Sequence, residues 1–409
     1  MKKSFKVVAL ILCAVLVLAS CGQSGDSGKT SSPDSASNAS DTSEQSGGGE
    51  SSDITSSESA PADSSSSEQS GGSSDIGLSG DDDNTVSSKS MTAAQGREYL
   101  VIKPITDHPG VAEMDAEYEF TCNDKLGNII MADDYELSCN NKDVIIDGNI
   151  VTIPWKVRSE LDGVTVTARL KDQPIRTGSY TFDFWKYTAE PTFVDDFNTL
   201  DTGVWRADME TDRMGWVENG NLIFTVYGED EQRFEMITTE FKQAYGSFSA
   251  RIDMPDNGNA NAAFWMATGD GDRYLTNPAM PSQSNGEIDI VEYFATWGER
   301  WSAALHWYAW SPTYINSWGD EHQPGPGIKD GYHIFSVVWT TVGLYWYYDG
   351  KLSVAYTGEG VAPDSGPMYL LLQLRPYYSA GWGGPYDPTD FPYTMKTDWV
   401  RVFAFDGRR

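Results

Sequence analysis

The sequence predicts an all-β protein, carried as two folded parts behind a long unfolded leader. Three observations lead there. From residue 97 onward the apolar residues recur with the period of two that belongs to strands, and no stretch keeps a helical period. Turn residues cut these runs into strand-length pieces, as at Lys125-Leu126-Gly127-Asn128. The runs are short up to about residue 188 and longer, with wider apolar faces, beyond it.

The leader comes first. Lys2, Lys3 and Lys6 precede an apolar run from Val7 to Ala19, which has the charge order of a signal peptide and is too short to span a bilayer comfortably. Leu18-Ala19-Ser20-Cys21 resembles the lipobox of bacterial lipoproteins, which implies that Cys21 is lipidated and becomes the mature N-terminus. Residues 1–21 are therefore expected to leave the protein lipid-anchored at the extracellular face of a bacterial cell membrane. Residues 22–96 are Ser, Gly and Asp with almost no large apolar side chain, so they cannot offset their ordering entropy and are expected to stay disordered. As a flexible coil of roughly 70 residues this tether reaches about 40 to 50 Å on average, which suits a monomer working away from the membrane.

Composition narrows the partners. The net charge of -31 disfavours nucleic acid and densely anionic polysaccharide. The 14 Trp and 21 Tyr suit stacking on sugar rings, although many must be core. Cys13 and Cys21 belong to the leader; Cys122 and Cys139 are spaced for adjacent strands, and the sequence leaves their pairing open. Four histidines leave little for a zinc site, no glycine-rich phosphate loop follows a strand, and no nucleophile-elbow serine occurs.

Residues 97–188 hold EYLVIKPI, AEYEFTCN, YELSCN, KDVIIDGNIVTIPW, DGVTVTARL and GSYTFDFW. Seven or so strands in that length predict an immunoglobulin-like (Ig-like) β-sandwich, most simply a spacer, with Trp155 and Trp185 as candidate sugar-contacting rings. A short connection around Lys186 to Thr192 leads into residues 189–409. There NGNLIFTVYG, NAAFWMATG, GEIDIVEYF, YHIFSVVWTT, MYLLLQL and KTDWVRVFAF suit two stacked antiparallel sheets.

The chemistry concentrates in NGEIDIVEYF, residues 285–294. Strand alternation puts Glu287 and Asp289 on one face and would send Glu292 to the other. The consecutive apolar pair Ile290 and Val291 breaks the period, and a β-bulge there returns Glu292 to its partners. The glutamates then sit about four strand steps apart, roughly 13 Å between Cα atoms, and leaning side chains narrow the carboxyl gap toward the ~5 to 5.5 Å of a retaining glycosidase. Three acids this close repel, so one is expected to keep its proton at neutral pH.

The stretch resembles the Glu-x-Asp-x-x-Glu signature of glycoside hydrolase family 16, and AYGSFSARIDMPDNGNANAAFWM, AALHW, FSVVWTTVGLYWYYDGK and TDWVRVF follow in the order that family uses. The resemblance covers about residues 190–409 and implies a jelly-roll, concanavalin A-like sandwich with a cleft on its concave sheet. It implies Glu287 as nucleophile, Glu292 as acid/base and Asp289 as the residue that holds and tunes the nucleophile. Candidate sugar contacts are Trp265, His306, Trp307, Gln373 and Trp382; Gln373 stands where related enzymes often have asparagine, which leaves the exact substrate open. The resemblance also implies a structural calcium, held by the main-chain carbonyls of Asp196 and Gly220 and the side chain of Asp398.

The activity implied is an extracellular retaining endo-glycosidase of laminarinase type, acting on β-1,3- or mixed-linkage β-1,3-1,4-glucan. Endo-β-galactosidases and agarases share the signature. A surface glycan-binding lipoprotein without activity is the rival of another class, and transglycosylation differs only in the acceptor.

Overall fold

The computed structural model describes residues 99–207, 213–229, 231, 233–268, 286–308, 315–357 and 366–407. All of them belong to one compact unit, Val86–Arg409. The leader, the tether and Asn285 lie outside the described residues. No helix among the described residues is long and apolar enough to cross a membrane.

The first part is built from β1 (Leu100–Pro104), β2 (Ala116–Asp124), β3 (Ile129–Ile130), β4 (Tyr135–Cys139), β5 (Ile145–Asp147) and β6 (Ile150–Ile153). A short helix, α1 (Trp155–Glu160), precedes β7 (Thr165–Leu170) and β8 (Thr177–Thr181). One sheet runs β1-β2-β6-β5 with β3 beside β2, the other β4-β7-β8. Tyr118, Phe120, Val151, Val166, Ala168 and Phe182 from both sheets share one core, because alternation turns the apolar residues of each strand inward.

Four expectations change here. The helix was not legible from periodicity, because contacts far along the chain hold it. Asp115 accepts from the Trp155 amide at 2.8 Å, and the buried Arg158 donates to the carbonyls of Pro109 and Val111, each at 2.7 Å, and of Met114. Lys186, expected in a connection, is buried, and its ammonium bonds the carbonyls of Arg158 (2.8 Å) and Leu161 at the helix C-terminus, where cations are favoured. Cys122 and Cys139 are free thiols on β2 and β4, which belong to different sheets rather than to adjacent strands. Trp155 and Trp185 are half-buried, with their rings packed on Tyr187 (5.8 Å between centroids) and Phe405 (4.8 Å), rather than standing out as free ring faces.

Those rings belong to a joint between the two parts, where Val111 and Ala112 meet Tyr187, Val338, Tyr345, Tyr347 and Phe403 in a separate apolar cluster. The connection zips along the last strand, with Thr188 and Thr192 amides donating to the carbonyls of Ala404 (2.9 Å) and Val402 (2.7 Å).

The second part begins with β9 (Phe193–Asp195), β10 (Trp205–Ala207), β11 (Trp216–Glu218), β12 (Asn221–Val226) and β13 (Phe234–Thr238). It continues through β14 (Gly246–Asp253), β15 (Ala260–Ala267), β16 (Gly286–Tyr293), β17 (Arg300–Tyr308) and β18 (Ile315–Pro324). The last strands are β19 (His333–Trp339), β20 (Gly343–Tyr348), β21 (Lys351–Thr357), β22 (Tyr369–Pro376) and β23 (Tyr393–Phe403). Seven strands form one sheet, β10-β13-β22-β15-β16-β17-β18, and eight the other, β11-β12-β23-β14-β19-β20-β21 with β9 on β23. This is the predicted jelly-roll sandwich. Phe224, Phe264, Ile288, Trp301, Trp339, Trp346 and Val400 fill the space between the sheets. β18 carries no clear strand pattern in the sequence, because INSWGDEHQP, as the edge of its sheet, has few apolar residues.

Candidate active site

On β15, Ala260, Ala262, Phe264 and Met266 enter the core, so Asn261, Ala263, Trp265 and Ala267 take the outer face of the seven-stranded sheet. Register extends that face sideways in rows. One row reads Glu235, Gln373, Ala263, Glu292 and Ser302 across β13, β22, β15, β16 and β17. The next reads Ile237, Leu371, Trp265, Asp289 and Ala304, and a third reads Tyr369, Ala267, Glu287 and His306.

The three acids share this face because β16 is bulged. Phe264 faces Val291 while Trp265 faces Asp289, which leaves Ile290 without a partner on β15. On the other side the register to β17 slips between Asp289 and Glu292. Ile288, Ile290 and Val291 all bury in the core, and Glu292 returns to the side of Glu287 and Asp289. A bulge interrupts the ladder, and here the Asp289 carbonyl accepts from the Trp346 indole of the opposite sheet at 2.9 Å. The core thus pins the irregularity from behind.

Glu287, Asp289 and Glu292 line one cavity of about 310 Å³ with Arg233, Asn261, Ala263, Trp265, Gln373, Arg375, Tyr377 and Trp382. Burial pushes the Glu292 carboxyl well above its ordinary range, and the charges of Asp289 and Glu287 push it further; His306 and a hydrogen bond from Asn261 oppose them. Asp289 is buried, and its Oδ2 lies 3.2 Å from His306 Nε2. Polar atoms of Glu287, Asp289 and His306 all fall within 4.8 Å of one another. An acid that holds its proton to higher pH therefore shares the cavity with a second glutamate, Glu287, the two groups that displacement at an anomeric carbon requires.

The family model for glycosyl hydrolases family 16 matches residues 197–401, 205 of the 409 residues. The chain belongs to family 16. It is 31% identical over 170 residues to glucan endo-1,3-beta-glucosidase A1 of Niallia circulans, covering 39% of this chain and 24% of that protein. It is 30% identical over 181 residues to endo-1,3-1,4-beta-glycanase EglC of Rhizobium meliloti, covering 42% and 33%. The chain thus spans about a quarter to a third of these relatives. Among solved structures, the laminarinase catalytic domain of Thermotoga maritima aligns at 22% identity and a TM-score of 0.44, over 53% of this chain and 98% of that one.

Within the family 16 domain, the remaining expected residues are distributed as follows. Trp265 is 5% exposed and lines the cavity. Trp382 is 44% exposed at the cavity wall, edge-on to Phe294 at 5.0 Å and Trp297 at 5.6 Å. Gln373 reaches sideways, donating to Asn261 Oδ1 at 2.6 Å, and Asn261 Nδ2 in turn donates to Glu292 Oε1 at 3.3 Å. Only the backbone of Trp307 is described, opposite Gly286. Asn261, Arg233, Arg375 and Tyr377 were missed; alternation from Trp265 along β15 is the signal that reaches Asn261.

The calcium donors converge in part. β9 ends at Asp195 opposite Val400 and Leu222 of β12 pairs with Thr397, so Asp196, Gly220 and Asp398 meet where two strands share one edge of β23. The two main-chain carbonyls suit a hard cation. The Asp398 carboxylate is shared, because its Oδ2 accepts from Arg251 Nη1 at 2.5 Å and that positive charge competes with any cation.

Proposed function

We propose that this family 16 domain is a retaining endo-glycosidase that hydrolyses β-linked polysaccharide, with β-1,3- or mixed-linkage β-1,3-1,4-glucan as substrate. The observation that carries the reading is the bulge, which brings Glu292, with its raised pKa, onto the face of Glu287. The names of the two curated relatives, an endo-1,3- and an endo-1,3-1,4-acting enzyme, support the substrate.

Glu292 protonates the departing glycosidic oxygen while Glu287 attacks the anomeric carbon and forms a glycosyl-enzyme. Having lost its proton, Glu292 then takes one from water, whose oxygen displaces Glu287 and restores the starting configuration. Asp289, oriented by His306, holds the carboxylate row in place. Trp265 and Trp382 offer ring faces and edges to the sugar.

The same proposal includes the lipid anchor at Cys21, the tether 22–96, extracellular placement, a monomer, and an Ig-like reading of residues 97–188. The apolar joint favours a fixed spacer over a freely swinging module. Calcium at Asp196, Gly220 and Asp398 would brace the strand ends far from the acids, with Arg251 weakening its hold.

Incubation of the purified protein with laminarin, lichenan and agarose, with Glu287→Gln as control, tests the activity. Release of β-glucan oligosaccharides by the wild type alone supports it. Binding to glucan with no product from any of the three sinks it in favour of a glycan-binding protein.

A further inference from the structure

The back of the sandwich carries a larger cavity than the catalytic face. Val400 and Val402 of β23 and Phe248 and Ala250 of β14 enter the core, so alternation turns Trp399, Arg401, Phe403 and Ser249 outward from the eight-stranded sheet. Glu113, Met114 and Asp115 of the first part stand over them, and the two parts enclose a crevice of about 540 Å³, against 310 Å³ around the acids. The Asp349-Gly350 turn lines it beside Met114. A Cβ on Gly350, whose φ is 77°, would fall 2.8 Å from Met114 Cε, so glycine lets the two walls meet. The charges in the crevice are already held. Both cations are paired, Arg401 with Glu113 at 3.3 Å and Lys351 with Glu117 at 3.6 Å, which leaves no site for an anion. Asp349 lies 2.8 Å from His333 Nδ1, and Asp115 accepts from the Trp155 amide. The groups left over are neutral. Neither the indole N–H of the half-buried Trp399 nor the hydroxyl of Ser249, a residue 6% exposed, bonds any described residue, and both side chains line the crevice.

We propose that this crevice is a second sugar-binding site, which holds a neutral segment of the β-glucan chain that the catalytic cleft cuts. A sugar brings what the unpaired groups require. Its C–H surface packs on the indole, which Arg401 fixes from 4.7 Å, and its hydroxyls meet the indole N–H and the Ser249 hydroxyl. The held carboxylates keep lone pairs to accept from further hydroxyls. The volume falls within the roughly 300–1,000 Å³ of ordinary ligand sites, which favour such positions between folded parts. The core between the sheets separates the crevice from Glu287, so a short oligosaccharide fills the two sites independently. A polymer engages both, which raises its effective concentration at the acids. The choice of β-glucan rests on the substrate reading above.

The test is calorimetric titration of laminarihexaose into Glu287→Gln, which binds without cutting. Two sites are expected. Adding Trp399→Ala should weaken one of them about tenfold, the scale of a lost aromatic contact, and leave the other unchanged. Adding Ser249→Val instead should weaken the same site by less, and it carries the comparison alone if the tryptophan variant does not fold. A single site, or two sites that neither substitution alters, overturns the proposal. With Glu287 intact, both substitutions should leave kcat/KM on laminarihexaose unchanged and lower it several-fold on insoluble β-1,3-glucan, where a second foothold matters. An equal loss on both substrates also overturns it. If the intact protein cleaves neither, the hydrolase reading fails by itself and the titration still decides the crevice.

Discussion

Asn261 donates its side-chain amide to Glu292 Oε1 at 3.3 Å, across the β15–β16 pair beside the bulge. Its own oxygen is held by Gln373 at 2.6 Å, which fixes the amide so that nitrogen, not oxygen, faces the acid. That bond stabilises the ionised form of Glu292 and restrains a pKa that burial raises.

Removing the donor should therefore lift the Glu292 pKa further. In Asn261→Ala the alkaline limb of the kcat/KM profile is expected to move up by about one pH unit, the equivalent of ~1.4 kcal/mol. A limb that stays in place while kcat falls would assign Asn261 to packing alone.

The two glutamates are separable by azide rescue. Glu292→Ala should lose about 10²–10⁴ in kcat on glucan, yet still form the glycosyl-enzyme from an aryl β-glycoside, so azide yields the β-glycosyl azide. Glu287→Ala should yield the α-glycosyl azide by direct displacement. NMR of the products checks the assignment, and exchanged anomers would exchange the roles.

The raised pKa of Glu292 also costs stability. The folded state holds this proton to higher pH than the unfolded chain, whose Glu titrates near 4.5, so stability falls as pH rises from there through the folded pKa. Glu292→Gln carries no such penalty. Its Tm advantage over wild type should be small near pH 4 and grow toward pH 8, each kcal/mol being worth about 2–4 °C for a domain of roughly 200 residues. Scanning calorimetry across that range measures it, and a constant difference would contradict the assignment.

Calcium should raise the Tm of wild type only at high concentration, because Arg251 shares Asp398. Asp398→Asn should abolish the shift, and Arg251→Gln should bring it to lower calcium. A calcium response unchanged in Asp398→Asn would remove this site.

The thiols give an independent check on the first part. Cys139 is partly exposed, whereas Cys122 is buried with its pKa pushed up to about 11. A maleimide should label Cys139 in the folded protein and Cys122 only after unfolding, and reductant should leave Tm unchanged.

The sequence by itself determined what depends on neighbours along one strand. Alternation marked Glu287 and Asp289, and the doubled apolar step at Ile290 and Val291 marked the bulge that returns Glu292, because burying both residues forces an extra residue into the strand. Tertiary structure alone decided what depends on register between distant segments. Glu235 lies opposite Gln373, and Asn261 between Gln373 and Glu292, because β13, β15 and β22 align through core packing that no local pattern encodes. Helix α1 and the burial of Lys186 follow the same rule: carbonyls and cations far apart in sequence satisfy one another only once the chain has closed.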